Sequence, residues 1–255
     1  MIPKVIHYCW FGRNPKPELI QKCISSWKKY CPDYIIKEWN EDNFDVNACA
    51  YIKEAYEHKK WAFVSDYARL YIIYHEGGIY LDTDIELIKP LDELLWYDAY
   101  FGYENKENVN TGLGFGAVKG EPVLEHILRD YHGYHFLKED GKFDVTPCPV
   151  RNSAVLRNMG FQLNGETTVQ NGIAFLSTEW LSPMDYDSGD IKITGNTISI
   201  HHYSGAWMSK EELIIIDIER RLKKIIGKKF AFWVRCRLYN VYNFARKLNL
   251  IHSDK

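Results

Sequence analysis

The chain is short of several things that would place it quickly. Its six cysteines, at 9, 23, 31, 49, 148 and 236, show no Cys-x-x-Cys spacing and read as free thiols in a reducing compartment. No apolar run approaches the length needed to span a bilayer. Met1-Ile2-Pro3-Lys4 leads straight into a strand-like segment, without the charged and apolar blocks of a signal peptide. There is no Gly-Lys-Ser/Thr phosphate loop, and Gly112, Gly114 and Gly116 miss the dinucleotide fingerprint because the third falls two residues after the second rather than three. Internal repeats and low-complexity linkers are also missing. So is acidic charge in one stretch: from Arg220 to Lys247 there are ten Lys or Arg and no Asp or Glu, in a chain whose net charge is only -2.

What is present begins at Trp61. Phe63, Tyr67, Leu70, Tyr71 and Tyr74 recur at three- and four-residue steps, which predicts a helix over 61–75. Gly77 and Gly78 stop it as left-handed caps do. Ile79-Tyr80-Leu81 then reads as a short buried strand, and Asp82-Thr83-Asp84 emerges at its carboxyl end, where α/β sheets bind ligands. In an extended chain residues i and i+2 point to the same side, so the two carboxylates are expected to converge. Two hard anionic oxygens suit Mg²⁺ or Mn²⁺. An EF-hand loop beginning at Asp82 is excluded, because its sixth position, which needs glycine, is Leu87. Asp66 and Arg69 share a helical face; they can reach one polar ligand together or form an ordinary intrahelical ion pair.

These residues carry a resemblance. Ile2-Pro3-Lys4-Val5-Ile6-His7 with Trp10-Phe11-Gly12, then Ser65-Asp66 with Arg69, then Gly77-Gly78-Ile79-Tyr80-Leu81-Asp82-Thr83-Asp84 resemble the sugar-binding region of the DXD-containing glycosyltransferases. That family includes initiating α-1,6-mannosyltransferases, inositol-phosphoceramide glycosyltransferases and bacterial capsular polysaccharide enzymes; the glucosyltransferase domain of the large clostridial toxins is more distantly similar. The resemblance covers Ile2 to about Leu95. It implies an α/β fold of the GT-A nucleotide-diphospho-sugar type. Carried over residue by residue, it implies that Trp10 stacks on the nucleobase, Asp66 and Arg69 hold donor-sugar hydroxyls, Tyr80 lies near the nucleotide, Asp82 contacts ribose, sugar or metal, and Asp84 ligates the metal. Core packing is the other reading of Trp10, since large aromatics are mostly buried.

Downstream, Ile198 and Ile200 alternate with polar neighbours, so His201-His202-Tyr203-Ser204-Gly205-Ala206-Trp207 begins at a strand's exit. The resemblance implies a metal-ligating histidine here, for which His202 is the better match, and a role for the Trp207 indole at the leaving-group oxygen. It also turns Asn110 and the small residues of Thr111-Gly112-Leu113-Gly114 toward the donor sugar. Thr146-Pro147-Cys148-Pro149 to Asn152 reads as a rigid loop, because proline fixes φ.

With 255 residues and 46% hydrophobic content the chain can bury a full α/β core as one domain. The expected division is a GT-A domain over 1–208 and a basic helical appendage over 209–255. Ser209 with Glu212 makes a capping box, Ile214, Ile218, Leu222 and Ile225 line a first helix, Gly227 ends it, and a second runs from Lys229 to Leu248. Basic residues mixed with aromatic ones over 220–250 read as an anionic membrane surface anchor; packing on the domain is the alternative, and nucleic acid is not the expected partner. The whole reading is a retaining, Mn²⁺- or Mg²⁺-dependent transferase moving a hexose from a nucleotide-sugar, a UDP-hexose before GDP-mannose, to a lipid-linked or oligosaccharide acceptor in bacterial surface polysaccharide synthesis, cytoplasmic and peripheral on the inner face of the plasma membrane. The alternatives are a nucleotide-sugar hydrolase and a non-catalytic membrane-surface adaptor.

Overall fold

The computed structural model describes residues 1–185, 188–205 and 210–247. In chain order the elements are β1 (Val5–Cys9), α1 (Glu18–Tyr30), β2 (Ile35–Trp39), α2 (Ala50–Glu57), α3 (Trp61–Glu76), β3 (Gly78–Tyr80), β4 (Ile85–Leu87) and β5 (Ala99–Gly102). There follow β6 (Phe115–Ala117), α4 (Pro122–Tyr131), α5 (Cys148–Asn158), β7 (Thr168–Gln170), β8 (Ile173–Leu176), α6 (Thr178–Leu181), β9 (Ser199–His201), α7 (Lys210–Ile226) and α8 (Lys228–Lys247). One compact unit comprises Met1–Pro183 with Lys192–His202; the other comprises Met184–Ile191 with residues 203 onward.

The first unit is built on a seven-stranded sheet in the order β2-β1-β3-β6-β5-β8-β7. β1 runs parallel to β2 and β3, and β5 parallel to β8, while β6 and β7 pair antiparallel to their neighbours. The inner parallel strands β1, β3, β5 and β8 are short and largely buried, as strands covered on both faces should be, while the edge strand β2 is partly exposed. β3 lies between β1 and β6, with all three of its residues buried. It therefore delivers the chain to the sheet's carboxyl edge at one fixed point, immediately before Asp82.

The start of β3 is fixed by a buried imidazole. Trp39 Nε1 donates to His7 Nδ1 at 3.0 Å, and His7 Nε2 lies 3.0 Å from the Gly77 carbonyl. An indole only donates, so Nδ1 must accept and Nε2 must carry the proton. Gly78 packs against this ring at φ 106°; a Cβ there would stand 2.8 Å from the Val5 carbonyl oxygen and 2.9 Å from His7 Nε2. The glycine pair thus does more than cap α3, because its second member makes room for the strand beside β1.

Burial pushes the His7 imidazole down to about 4 from an ordinary 6.5. A group whose folded pKa is depressed in this way is neutral in the native state and must gain a proton on unfolding in acid. Its contribution is intact above pH 6.5 and is lost as pH falls toward 4, amounting to about 3 kcal/mol over that window. Urea unfolding at pH 7.0 and 4.5 should show this loss in the natural chain and a clearly smaller one in His7→Asn; equal losses in the two proteins would count against the assignment.

A two-stranded antiparallel ladder of β4 and β9 stands apart from the main sheet, with Ile85 opposite His201 and Leu87 opposite Ser199. Helix α1 holds it in place: the buried Trp27 indole donates to the Ile85 carbonyl at 2.7 Å, and the Leu87 amide donates to Ser26 Oγ at 2.9 Å.

Two elements differ from what the sequence suggests. Pro147 and Pro149 do not stiffen a loop; they open helix α5, which runs on through Asn152, in keeping with proline's tolerance at the first turn of a helix. In the second unit, α7 and α8 form a hairpin hinged at Gly227, whose φ is 82°. The apolar line Ile214, Ile218, Leu222, Ile225 is not the packed side of α7, since Ile214 and Ile225 are exposed while Ile215 and Glu219 are buried. Glu219 goes inward because it has partners there, Lys223 at 3.2 Å and Arg235 of α8 at 3.0 Å; a buried charge is tolerable only when paired. Ser209, and with it the expected capping box, lies outside the described residues. Among the described residues no helix is long and apolar enough to cross a membrane.

Candidate active site at the end of β3

Asp82 and Asp84 meet as expected, but by a different route. Residues 83 and 84 form a turn closed by the Ile85 amide on the Asp82 carbonyl at 3.0 Å, so the pair does not sit on an extended strand and strand alternation is not what brings the carboxylates together. The turn rotates Asp84 out of the β4 pattern and toward β9. There His201 Nε2 lies 3.2 Å from Asp84 Oδ1. One ligand atom each from Asp82, Asp84 and His201 fall within 4.8 Å of one another.

The histidine in this cluster is His201, where the sequence reading favoured His202. His202 donates its backbone amide to the Asp84 carbonyl at 3.1 Å, and its imidazole Nε2 lies 2.8 Å from Glu86 Oε2. Successive side chains of a strand point to opposite faces, so one of two adjacent histidines must turn away. Which one does so is set by the register of β4 on β9. Alternation from Ile198 and Ile200 already grouped His201 with Ser199 and His202 with the isoleucines, and that was the available signal.

Asp82 is held on one oxygen and open on the other. Its Oδ1 accepts from the Tyr80 hydroxyl at 3.0 Å and pairs with Arg69 Nη2 at 3.2 Å. Arg69, nearly buried on α3, also reaches Asp66 Oδ1 at 3.0 Å and the Ser65 carbonyl at 3.1 Å, and its guanidinium carbon lies 5.0 Å from the centre of the Tyr80 ring. The i to i+3 pair is therefore real, and its cation is shared with Asp82. Burial pushes the Asp82 carboxyl up to about 6, Arg69 opposing and Asp84 adding to the rise. Asp66 is raised for the same first reason, again against Arg69. Burial alone would lower the His201 imidazole, but Asp84 and Asp82 outweigh it and carry its pKa upward. Three carboxylates thus face one guanidinium and one imidazole in a poorly solvated place, an arrangement that a divalent cation would relieve. Two carboxylates and an imidazole fit Mn²⁺ or a similar ion.

The loop after β5 closes the site. Asn110 is buried; its Nδ2 donates to Glu104 Oε1 at 3.1 Å, and its Oδ1 accepts the Gly112 amide at 2.6 Å. Gly112 lies so close to the aspartate that a Cβ there would be 2.3 Å from Asp82 Oδ2 and 3.0 Å from Arg69 Nη1. Cys148, the first residue of α5, was given no role by the sequence. Its thiol lies 3.8 Å from Asn110 Oδ1 and 3.9 Å from both Arg69 Nη1 and Thr111 Oγ1. Nothing local marks it, because what places it is the packing of α5 on this loop.

Trp10 follows β1 and is half-buried. Its indole donates to the Asn14 carbonyl at 2.7 Å, and Lys16 Nζ lies 5.6 Å from its ring. It lines an open cleft of about 210 Å³ together with Arg13, Asn14, Lys16, Glu38 and the segment Asn40–Asp42. None of the aspartate cluster's residues lines that cleft. Trp207 lies outside the described residues.

A mixed seven-stranded sheet flanked by helices, with an acidic pair at a central strand's carboxyl end, is the framework of the GT-A type glycosyltransferases. Residues 17–101 match the family described as glycosyltransferase sugar-binding region containing DXD motif. The chain is 29% identical over 143 residues to inositol phosphoceramide mannosyltransferase 3 of Schizosaccharomyces pombe, across 53% of its own length and 40% of the relative's. It is 25% identical over 259 residues to an uncharacterized glycosyltransferase of Acanthamoeba polyphaga mimivirus, across 96% of its own length and 100% of that protein's. The solved PaToxG glycosyltransferase superposes with a TM-score of 0.51 at 19% identity, over 62% of this chain and 70% of that one, a likeness of fold.

Proposed function

We propose that the protein is a metal-dependent, retaining glycosyltransferase that moves a hexose from a nucleotide-sugar to a glycan or lipid-carried acceptor. The observation that carries this reading is the convergence of Asp82, Asp84 and His201 beside the Asp66–Arg69 pair. In the proposal, Asp84 and His201 hold the ion, and Asp82 reaches ion or donor through the oxygen that Tyr80 and Arg69 leave open. Asp66, Arg69 and Asn110 line the donor-sugar side, and Trp10 offers a flat face to the base. A bound divalent ion neutralises charge growing on the departing diphosphate. The chain's own task is to fix the donor so that the acceptor hydroxyl approaches the reacting carbon. Each carboxylate described at the site already has a partner, Asp66 and Asp82 on Arg69, Asp84 against His201 and Glu104 accepting from Asn110, so none is set aside as a nucleophile. Attack by the acceptor from the leaving-group side is the mechanism that suits such a site.

The relative's name, a mannosyltransferase of inositol phosphoceramide, supports a hexose donor and an acceptor carried on a lipid. A UDP-hexose remains the proposed donor, with surface polysaccharide synthesis as its setting. Thermal unfolding with UDP, GDP and other nucleoside diphosphates, each with Mn²⁺ and with chelator, tests the reading. A ligand bound only by the native state raises stability by RT ln(1 + [L]/Kd), about 2.7 kcal/mol at a hundredfold excess over Kd. A Mn²⁺-dependent rise with one diphosphate is expected and identifies the base. No rise with any of them, in folded protein, would remove the donor site.

A further inference from the structure

The second unit presents a surface that includes none of the residues proposed above for the donor site. On α8, Phe230, Trp233, Arg237, Val241 and Phe244 follow one another at three- and four-residue steps, so they form one stripe. The opposite side of the helix is turned toward α7: Ala231 and Tyr242 are buried, and Arg235 reaches Glu219. The stripe therefore points outward, and its members stand 53% (Phe230), 52% (Trp233), 66% (Val241) and 64% (Phe244) exposed. Phe230 and Trp233 stack at 5.5 Å, and the Arg237 guanidinium lies 5.3 Å from the Trp233 ring. At the hairpin's tip Ile225 is 78% exposed. Isolated exposed apolar residues need no explanation, but a continuous aromatic stripe on a helix does.

Charge says what covers it. Between Arg220 and Lys247 the sequence holds ten basic residues and no acidic one, six of them on α8; Asp217 pairs with Arg221, and the buried Glu219 with Lys223 and Arg235. Interfaces between proteins are depleted in lysine at their core and enriched in aromatics and arginine. A helix with an aromatic and aliphatic face bordered by many lysines and arginines is instead suited to the boundary between anionic headgroups and acyl chains. α8 is twenty residues long, about 30 Å when helical, and it is too polar to span a bilayer. We propose that α8 docks flat on an anionic lipid surface, with Phe230, Trp233, Val241 and Phe244 in the headgroup boundary and Arg237 beside the phosphates.

Flotation of the whole protein with vesicles of phosphatidylcholine alone, and of phosphatidylcholine mixed with phosphatidylglycerol, tests this directly. Binding is expected on the mixed vesicles, weaker on the neutral ones, and falling as salt is raised. Phe230→Ser with Trp233→Ser should cut binding to mixed vesicles at least tenfold, because two aromatic side chains lose their apolar burial. Arg237→Glu should cut it as well. Metal-dependent nucleotide stabilisation in each variant reports that the donor site is intact, and the lipid result stands whatever nucleotide is found. Equal binding by wild type and the double variant would overturn the proposal, as would equal binding to neutral and anionic vesicles. A concentration-dependent dimer dispersed by the same substitutions, without vesicle binding, would assign the stripe to a second copy and overturn it too.

Discussion

Asp84→Ala is expected to abolish Mn²⁺-dependent nucleotide binding and to lower turnover by well over 100-fold. Disturbing groups that merely orient metal ligands already costs about 10- to 100-fold, and Asp84 is proposed to touch the ion itself. The metal-free variant should remain folded, with a melting temperature equal to that of the natural chain or higher. Asp82 is raised partly by Asp84, so removing one of two crowded carboxylates relieves repulsion and offsets the loss of the Asp84–His201 contact. A loss of activity with unchanged or increased apo stability thus marks a ligand, and near-normal turnover would end the assignment. His201→Ala should show the same loss of metal-dependent binding, while His202→Ala should retain it, because the His202 imidazole is engaged with Glu86.

The second large effect is expected at a residue with no side chain. Gly112→Ala would place a methyl group 2.3 Å from Asp82 Oδ2, well inside contact distance. A carboxylate at the free end of a side chain can often swing aside. Asp82 has little freedom to do so, because Tyr80 and Arg69 hold its other oxygen and Asn110 fixes the Gly112 amide. Displacing the carboxylate by about 1 Å can cost on the order of 100-fold in rate. Turnover should therefore fall by about two orders of magnitude with an unchanged circular-dichroism spectrum. Gly133→Ala serves as the control, since a Cβ there meets only the Asp130 carbonyl at 3.4 Å. If both variants keep full activity, the open oxygen of Asp82 is not the reactive side.

The parts of the site that the sequence disclosed are those written in local signals. The apolar period of residues 61–75 matches α3, which runs to Glu76, and the glycine pair ends it as expected. Asp66 and Arg69 pair because they lie one turn apart on that helix. Strand β3 is short, yet the run from Gly77 to Asp82 placed it to within one residue, Ile79-Tyr80-Leu81 expected against Gly78–Tyr80 observed, since its surroundings are chemical: residues free to adopt positive φ before it and charge after it. What stayed hidden depends on partners distant in the chain. The turn at 83–84 is not distinguishable from an extended strand without knowing that Trp27 and Ser26 receive β4. Alternation puts His201 and His202 on opposite faces, but which face meets Asp84 is decided by the register that places His201 opposite Ile85, more than a hundred residues earlier. Cys148 reaches the site only because α5 packs beneath the loop of Asn110. The line Ile214, Ile218, Leu222 and Ile225 marked helix α7 but not its inner side: a surface line of isoleucines and a core line have the same period, and Glu219 with two partners took the inner place.

The ladder of β4 and β9 has a consequence for how the protein behaves over time. Two strands alone are marginal in water, and this pair stands outside the main sheet, held by α1 through the Trp27 and Ser26 hydrogen bonds and the Lys22–Glu86 ion pair, and by Ser199 on the Leu181 carbonyl. Cooperative opening units in proteins are drawn from such weakly supported pieces. Asp84 precedes β4 and His201 ends β9, so any local opening of the ladder would separate these two groups while leaving the main sheet in place. An ion held by Asp84 and His201 would add to the backbone bond that His202 already makes to the Asp84 carbonyl. Affinity for that ion would then include the free energy of closing the ladder, and substitutions on α1 far from any donor atom would be felt as changes in metal dissociation rate.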